Sequence, residues 1–521
     1  MCLLLSPFCF FCGEFWLCRP ALLYGLSLFL GLSSSLNWHY SFCLPIFLLL
    51  LCVGSVYLVN KKIFISRLSA VIIIGAGAWI YGTIFYTFPE LPPKGLSGEV
   101  EISIDSVSSG ANHFSTSRIY RGTVSSFTPD DPMLSPALYN IPYSLYLPSR
   151  GDLPLANQSY RVKGVLKDNP YRHAVILKVK KNATWSPVEG SCSIAQWRFQ
   201  AKELVKNYIH KNIKDSRSSK FLSGLATGEF NDRTMLFNFG RLGLQHIMAI
   251  SGFHFGIITS LLSFLLSLVF SPKKSASLLI ICLASYFLFL GCGPSIQRAW
   301  VSSLIVLLGT LAEKRSDALN VLGLAMLATL LANPLSCENL GFHFSFLTTG
   351  SILLFYGSLN SILKKVFVWE PLSKHLKSSF FSKLSYIFST ILRQSLSLLF
   401  AVHIVAIPCM LYFFHKFPWM GLIYNLFFPF LVSVSLALLL GACLSALFLP
   451  PLSSVLHWMN KTYTTSILNL SYNVPPVFDL TWRSKSLTKE YFVMTLCLLF
   501  LMGIFLRYKT DTRKSDPVLG F

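Results

Sequence analysis

The sequence is poor in charged residues. Only 13% of its 521 residues are Asp, Glu, Lys or Arg, whereas soluble domains average about 25%. Hydrophobic residues make up 53% of the chain and its mean hydropathy is +0.57, which excludes an ordinary soluble globular protein. Apolar runs of about 20 residues, the length that crosses a bilayer, recur along the chain. We therefore predict a polytopic α-helical membrane protein with about 10–12 spans.

Other absences narrow the function. The sequence has no G-x-x-x-x-G-K-S/T loop, so the chain is not expected to supply its own energy from a nucleotide in that way. Of its 13 cysteines, only Cys192 lies in the long hydrophilic segment, which excludes a disulfide framework there. We expect no cofactor, no metal ion, no catalytic residue and no enzymatic activity.

The apolar runs form two membrane blocks around one hydrophilic insert. The predicted division is an apolar leader that is disordered or interfacial (1–19), a three-span block (20–89), a β-rich domain (90–190), a basic amphipathic helix (191–219), a second membrane block (220–508) and a basic cytoplasmic tail (509–521). The predicted spans are 20–36, 42–59, 68–88, 246–270, 276–291, 298–312, 318–333, 342–359, 387–412, 420–447 and 490–507. A further crossing is left open within 450–489.

Charge placement predicts the orientation. Lys61, Lys62 and Arg67 lie between the second and third spans, and loops rich in Lys and Arg usually face the cytoplasm. The third span then leads outward, which makes 90–190 the extracytoplasmic part of a multi-pass membrane protein. The net charge is +22, and many basic residues lie in this insert and the helix after it. A basic outer face favours a polyanion or anionic lipid headgroups.

The insert alternates polar and apolar residues as β-strands do. "EVEISIDSV", "TSRIYRGTVSSF", "IPYSLYLP", "SYRVKGVL" and "HAVILKVKK" are separated by turn residues, which predicts five strands in a small barrel or sandwich. The next segment has apolar residues at helical spacing. Its other face carries Arg198, Lys202, Lys206 and Lys211, so we predict an amphipathic helix lying on the membrane surface.

Three predicted helices of the second block begin with polar residues. They start near "QHIMAISGFHFG" (245–256), "GPSIQRAW" (293–300) and "GFHFSF" (341–346). Polar groups and broken helices inside a membrane are tolerated where they line a cavity. We predict that the three starts converge near the outer leaflet and line a hydrated path, as in transporters.

The same residues are compatible with two other functions. A secondary transporter of a small anionic solute would use the same broken helices. An intramembrane hydrolase would use Ser251 and His254, which lie three residues apart on one helical face. Ser251 and Gly252 also suit close helix packing, and Arg298 also suits a side chain that reaches the membrane interface.

These motifs resemble those of the ComEC/Rec2 competence family. "GLQHIMAISGFHFG" is similar to the family's "GLxHLLAISGLHVG", with Phe253 and Phe255 in place of Leu and Val. The positions that match are His246, Ala249, Ile250, Ser251, Gly252 and His254. "GPSIQRAW" resembles "PSxxRA", and "GFHFSF" resembles "GFQLSF" with His343 and Phe344 substituted. Looser matches are "TGEFNDR" and the run Pro408, Phe417, Asn425 and Pro429.

The resemblance implies a channel component that passes single-stranded DNA across the cytoplasmic membrane during natural transformation. It makes 220–508 a competence-type channel domain and the insert an OB-like domain. The path residues it implies are His246, Ser251, Gly252, His254, Pro294, Ser295, Arg298, Gly341, Phe342, His343 and Ser345. Candidate DNA-binding residues on the outer basic face are Arg118, Arg121, Arg161, Lys163, Arg172 and Lys178. Candidate stacking rings, which also suit a barrel core, are Tyr120, Phe127, Tyr143, Tyr146 and Tyr160.

Partners follow from the same resemblance. Besides single-stranded DNA and the lipid bilayer, we expect a DNA receptor and a cytoplasmic helicase or ATPase, with a homo-oligomer as one arrangement. Many family members carry a C-terminal metallo-β-lactamase-like domain. Here only 509–521 follow the last predicted span and no H-x-H-x-D-H motif occurs, so we expect a short form without its own nuclease.

Overall fold

A computed structural model of the chain describes residues 12–515 apart from a set of short gaps. The gaps are 38, 87–90, 93, 113–114, 131–139, 149–152, 170–173, 181–182, 249–251, 368–379, 476–479 and 485–486. The described part is mainly helical, with one small β-domain between two helical blocks. Each predicted span corresponds to a helix.

The helices are numbered α1 to α16 along the described chain. The first block contains α1 (Cys12–Cys18), α2 (Pro20–Leu36), α3 (Cys43–Val59) and α4 (Lys61–Phe85). Between the β-domain and the second block lie α5 (Ala195–Asn212), α6 (Ser216–Thr227) and α7 (Arg233–Arg241). The second block contains α8 (Gly252–Ser267), α9 (Pro272–Leu290), α10 (Pro294–Leu311), α11 (Ala318–Ala332), α12 (Leu340–Val366), α13 (Phe380–Phe414), α14 (Met420–Ser445), α15 (Pro450–Tyr472) and α16 (Lys489–Ser515).

Fewer helices are long and apolar enough to cross a membrane than the expected 10–12. Within the described residues there are seven, or up to eight if the bent pair α1–α2 is one span. The helices α8 and α11 are apolar but shorter than a full crossing. Hydropathy alone counted them as spans because it detects apolar runs and not helix ends. Helix α15 occupies the region that the sequence left open.

The first helix corrects the expected leader. From residue 12 the chain is helical, and α1 meets α2 at an angle of 94°. Phe15 and Trp16 are almost fully buried, packed in one cluster with Cys52, Val53 and Val56 of α3. Large aromatic side chains that find an apolar partner surface are held within the fold, so this described part of 1–19 belongs to the first block.

The β-domain is a small closed barrel. Its strands are β1 (Leu96–Ile102), β2 (Ser106–Asn112), β3 (Ser115–Pro129), β4 (Ile141–Pro148), β5 (Tyr160–Asp168), β6 (Val175–Val179) and β7 (Ser186–Pro187). Five of them follow one another in the order β1-β3-β4-β6-β5 and close through pairing of β5 with β1. The β4–β6 pair is parallel and the others are antiparallel. These five strands are the five alternating runs of the sequence.

Most of the candidate stacking rings lie in the barrel core. Tyr120, Tyr143 and Tyr160 are 1%, 2% and 6% exposed and belong to one apolar cluster. Phe127 is partly buried against the same cluster. Only Tyr146, which is 54% exposed, presents its ring to the outside.

Helix α5 is amphipathic, and two of its basic residues are buried. Arg198 and Lys202 are 9% and 7% exposed, whereas the apolar Trp197 and Leu204 are 56% and 70% exposed. The helical period identifies the two faces but not which residues of each face meet protein. Arg198 and Lys202 turn inward because they bind the end of another helix, as described below.

Close backbone contact fixes the first block against the second. A Cβ on Gly323 of α11 would collide with the backbone of Ala21 and Leu22 in α2, so only glycine permits this approach. Small residues at helix contacts are typical of membrane bundles. This packing positions α11 and, through the turn at Pro334–Glu338, the start of α12.

Candidate functional site

Three helices of the second block begin at one place. The chain breaks between α9 and α10 at Gly291, whose φ of +98° suits glycine, and Pro294 then occupies the first turn of α10, where it is well tolerated. Asn339 caps α12 by accepting a hydrogen bond from the Gly341 backbone N–H at 2.8 Å. We call the residues that meet here the helix-head junction: Gly252, Ser295, Arg298, Gly341 and Ser345.

Arg298 joins the three helix starts. Its Nε donates a hydrogen bond to Ser345 Oγ at 2.7 Å. A Cβ added to Gly252 would lie 2.5 Å from Arg298 Nη2, so the guanidinium fills the space that a side chain at residue 252 would need. The Ser295 hydroxyl donates a longer bond, of 3.4 Å, to the Gly341 carbonyl. The structure therefore brings together predicted residues from three separate motifs.

The junction is electropositive. The N-termini of α8, α10 and α12 each carry a partial positive charge from unsatisfied backbone N–H groups. Among the described residues no carboxylate lies within ion-pair distance of Arg298. Guanidinium groups bind phosphate and carboxylate oxygens in a planar, two-point manner. The arrangement is thus suited to an anion that reaches it from outside the chain.

His246 lies near two other histidines. It is solvent-accessible and close enough to His403 of α13 for the two rings to interact electrostatically. His254 also lies near His246 but is only 2% exposed, so it packs inside the protein.

The other predicted path residues divide into two groups. Phe342 is 2% exposed and stacks on Phe29 of α2 at a centroid distance of 5.8 Å, which makes it a core residue. His343 is half-buried and stacks on Phe413 of α13 at 5.9 Å. Ser251 lies outside the described residues. Within the described chain no group of three His, Cys, Asp or Glu side chains is placed to hold a metal ion.

Helix α5 ties the barrel to the helix-head junction. Arg198 donates from Nε to the Leu288 carbonyl at 2.9 Å and from Nη1 to the Asp105 carbonyl of the barrel at 3.0 Å. Lys202 Nζ donates to the Leu290 carbonyl at 3.1 Å. These carbonyls end α9 and lack helical partners, and cations favour such an end. Only residues 291–293 separate α9 from α10 and Arg298.

An ion-pair network supports this joint. Glu229 accepts bonds from Lys202 at 3.1 Å and from Lys206 at 2.7 Å, and all three side chains are nearly buried. Burial lowers the pKa of Lys202 even with Glu229 beside it. For Lys206, burial acts in the same direction, but Glu229 and Glu203 outweigh it and raise the pKa. Glu229 is therefore the anion on which both buried cations depend.

The candidate DNA-binding residues are spread over the barrel. Arg121, Lys163 and Lys178 are exposed. Arg161 is paired with Glu101 at 2.9 Å, and the Arg118 guanidinium lies over the Phe199 ring of α5 at 5.1 Å. Arg172 lies outside the described residues. Two of these candidate cations thus have partners within the chain.

Sequence reasoning missed residues that are distant in the chain. His403 lies in the middle of α13, where one histidine in an apolar run carries no local signal, and it becomes visible only beside His246. Strands β8 (Lys416–Pro418) and β9 (Thr481–Arg483) form a two-stranded sheet between α13 and α16. Strands of three residues are too short for alternation to reveal them.

The fold and the junction together define a multi-pass membrane protein in which three helix starts meet around a guanidinium that pairs with no carboxylate of the described residues, with a small β-barrel attached. Residues 227–510 match the family model described as "Competence protein". This match covers more than half of the chain, and the chain belongs to that family. The resemblance seen in the motifs is confirmed.

Two curated proteins are similar to part of the chain. "ComE operon protein 3" of Bacillus subtilis (strain 168) is 26% identical over 301 residues, which cover 54% of this chain and 35% of that protein. "Uncharacterized protein MG316 homolog" of Mycoplasma pneumoniae (strain ATCC 29342 / M129 / Subtype 1) is 27% identical over 211 residues, or 39% of this chain and 53% of that protein. The matched regions thus span about a third and about half of these relatives. No solved structure matches the chain.

Proposed function

We propose that this chain is a channel component that passes single-stranded DNA across the bacterial cytoplasmic membrane during natural transformation. The observation that carries the proposal is Arg298, held by Ser345 at the meeting point of three helix N-termini. A backbone phosphate entering there finds a guanidinium and three positive helix ends. Placing charged groups inside a membrane costs free energy, and binding an anionic substrate offsets that cost. Membership of the Competence protein family supports the same function.

The barrel supports a nucleic-acid role from a second direction. The strands close in the order β1-β3-β4-β6-β5, and the β4–β6 pair is parallel. This is an OB-like arrangement. OB folds bind single strands on the second and third strands of this order. Those strands are β3 and β4. Arg121 lies opposite Ser144, and Tyr146 lies opposite Ile119, two positions along the same face. An exposed cation and an exposed ring thus lie diagonally across this pair of strands.

The proposed route begins at the barrel and continues to the helix-head junction. We place the barrel on the extracytoplasmic side, so that Arg121 and Tyr146 meet the strand first. Helix α5 then holds the barrel beside the turn that leads into Arg298. A DNA receptor would deliver the strand, and a cytoplasmic helicase or ATPase would pull it.

Uptake of labelled DNA into a nuclease-protected cytoplasmic pool tests the proposal. The experiment compares the wild-type chain, a deletion, Arg298→Ala and Arg298→Lys. The deletion is expected to lose the pool while surface-bound DNA remains. Arg298→Ala removes a charge-assisted contact and is expected to lower uptake about ten- to a hundredfold. Arg298→Lys keeps the charge without the planar fork and is expected to fall between the two.

The matched control is Arg315→Ala. Arg315 is an exposed arginine in the loop after α10, at the opposite end of the helix from the junction, and its loss is expected to leave uptake unchanged. A pool that survives the deletion overturns the proposal and makes transport of a small anionic solute the leading function. Loss of the pool in the deletion with full uptake by Arg298→Ala overturns the assignment of the path to Arg298.

A further inference from the structure

Arg393 is a buried arginine in the long helix α13. The residue is only 4% exposed, and its Nε is enclosed without a hydrogen-bond partner. No carboxylate among the described residues lies within ion-pair distance of its guanidinium. The next helical turn does not compensate, because the buried Ser397 hydroxyl donates to the Arg393 carbonyl at 2.8 Å. Burying an unpaired charge is costly, so the burial of this guanidinium calls for an anion.

The two other buried arginines of the described chain both have partners. Arg19 is 9% exposed and pairs with Asp317 and Asp511 at 3.4 and 2.9 Å. Arg198 is equally buried and donates to two backbone carbonyls, as described above. Arg393 has neither kind of partner within the described residues. Its guanidinium is therefore available for an anion from outside the described part of the chain.

Arg393 lies far from the helix-head junction along the same pair of helices. Helices α12 and α13 run antiparallel, since rings at the start of α12 stack on rings at the end of α13. Farther along, Ser351 Oγ donates to the Ala401 carbonyl. With a rise of about 1.5 Å per residue, Arg393 lies about 21 Å from the level of Ser345, and a hydrocarbon core is about 30 Å thick. Arg393 is thus toward the opposite end of the membrane bundle from Arg298.

Exposed cations mark the same end of the bundle. Lys364 and Lys365 lie in the last turn of α12, and Lys383 lies in the first turns of α13. All three are exposed, as is usual for lysines that reach water or lipid headgroups at a membrane boundary. Arg393 differs from them because protein encloses it. An enclosed guanidinium near the level of the lipid phosphates is suited to bind a phosphate group.

We propose that Arg393 is the centre of a binding site for a phosphodiester at this end of the second block. A guanidinium holds two phosphate oxygens through its planar fork, and a phosphodiester carries the single negative charge that balances it. Two sources present this group, the backbone of a DNA strand and the headgroup of an anionic lipid such as phosphatidylglycerol. The site goes beyond the proposed function, since a lipid would fill it as well as a strand.

Thermal unfolding of the full chain in dodecyl maltoside, a detergent without phosphate, tests the site with dimethyl phosphate as the probe. Binding to the folded state is expected to raise the wild-type midpoint by about 2 °C. Arg393→Gln removes the unpaired charge, and it is expected to raise the midpoint without the probe and to abolish the shift that the probe causes. Arg393→Lys keeps the charge without the fork and is expected to weaken the affinity for the probe about tenfold. Lys383→Gln removes an exposed cation from the same helix and is the matched control, with no expected effect.

Sodium acetate and sodium chloride at equal ionic strength separate a phosphodiester from other anions. An equal shift with either salt overturns the proposal, and so does a shift by dimethyl phosphate that Arg393→Gln retains. If Arg393→Gln does not fold, Arg393→Lys decides the question, because an unchanged affinity in that variant counts against the site.

Phosphatidylglycerol and oligothymidylate then replace dimethyl phosphate in separate series. The ligand whose shift Arg393→Gln reduces is the source of the phosphodiester, and two unreduced shifts overturn the site. The outcome is independent of the uptake test of Arg298, because the two arginines lie about 21 Å apart in depth and each is replaced in its own variant.

Discussion

At residue 252 the structure leaves room for a hydrogen atom only, because the guanidinium of Arg298 occupies the space where a Cβ would be. Gly252→Ala is therefore expected to displace the guanidinium from Ser345. The displaced atoms end a flexible side chain, and alanine favours a helix over glycine by about 1 kcal/mol. We expect uptake of labelled DNA to fall about tenfold while the thermal unfolding midpoint stays the same or rises.

Gly256→Ala is the matched control for this prediction. Gly256 lies one turn further along α8 and has open space around its Cα, so an added methyl group meets nothing. The double variant Gly252→Ala with Arg298→Ala is expected to be no worse than Arg298→Ala alone, because both changes remove one interaction. Full uptake by Gly252→Ala would show that the position of the guanidinium does not matter.

At the scale of single elements, α5 depends on its buried cations. Lys202→Gln removes one partner of a nearly buried ion pair and leaves the Leu290 carbonyl without its charged donor. Breaking such a pair costs about 3 kcal/mol. We expect a lower unfolding midpoint and faster proteolysis between the barrel and α6 in detergent solution.

Lys211→Gln is the matched control on the same helix, because Lys211 is exposed and its replacement is expected to change the midpoint little. Lys202→Arg keeps the charge and should recover part of the loss. Equal midpoints for Lys202→Gln and Lys211→Gln would mean that the joint between α5 and α9 contributes nothing measurable to stability.

The elements that sequence reasoning predicted well are those with a local signal. Continuous apolar runs predicted the long helices, and alternation predicted the five strands that close the barrel. The burial of Arg198 and Lys202 on α5 had no local signal, because a basic stripe suits helix-end carbonyls and lipid headgroups alike. The sheet of Lys416–Pro418 and Thr481–Arg483 joins segments that are far apart in the chain, and no local sequence pattern predicts such a pairing.

The candidate site shows the same division. Motif spacing indicated that Arg298, Ser345 and Gly252 share a site, and the structure brings them into contact. It did not indicate His403, since one histidine in an apolar run carries no local signal. It also placed Phe342 in the path, although packing against Phe29 makes it a core residue.

For the whole molecule, the orientation in the membrane is open to a direct test. Cys192 is exposed beside the barrel, and Cys18 is exposed near the opposite end of the first block. Next to Cys18, Arg19 pairs with Asp317 and Asp511 at 3.4 and 2.9 Å. Variants that keep only one of these cysteines are treated with a membrane-impermeant maleimide. We expect Cys192 to react in intact cells and Cys18 to react only after permeabilisation.

The reverse pattern would place the barrel in the cytoplasm and overturn the proposed order in which the strand meets barrel and junction. A variant without any cysteine serves as the control for background labelling. Reaction of both residues in intact cells would indicate damaged membranes, and the permeabilised sample sets the full signal against which each is compared.

The joint between α5 and α9 has an evolutionary consequence. Arg198 and Lys202 bind main-chain carbonyls of Leu288 and Leu290, and every amino acid at those two positions would present the same carbonyl. Substitutions along the end of α9 can therefore accumulate without loosening the attachment. Arg198 and Lys202 cannot vary in the same way, because few side chains carry a cation far enough to reach these carbonyls. Among descendants of this chain we therefore expect positions 288 and 290 to vary. Arg198 and Lys202 are expected to be retained.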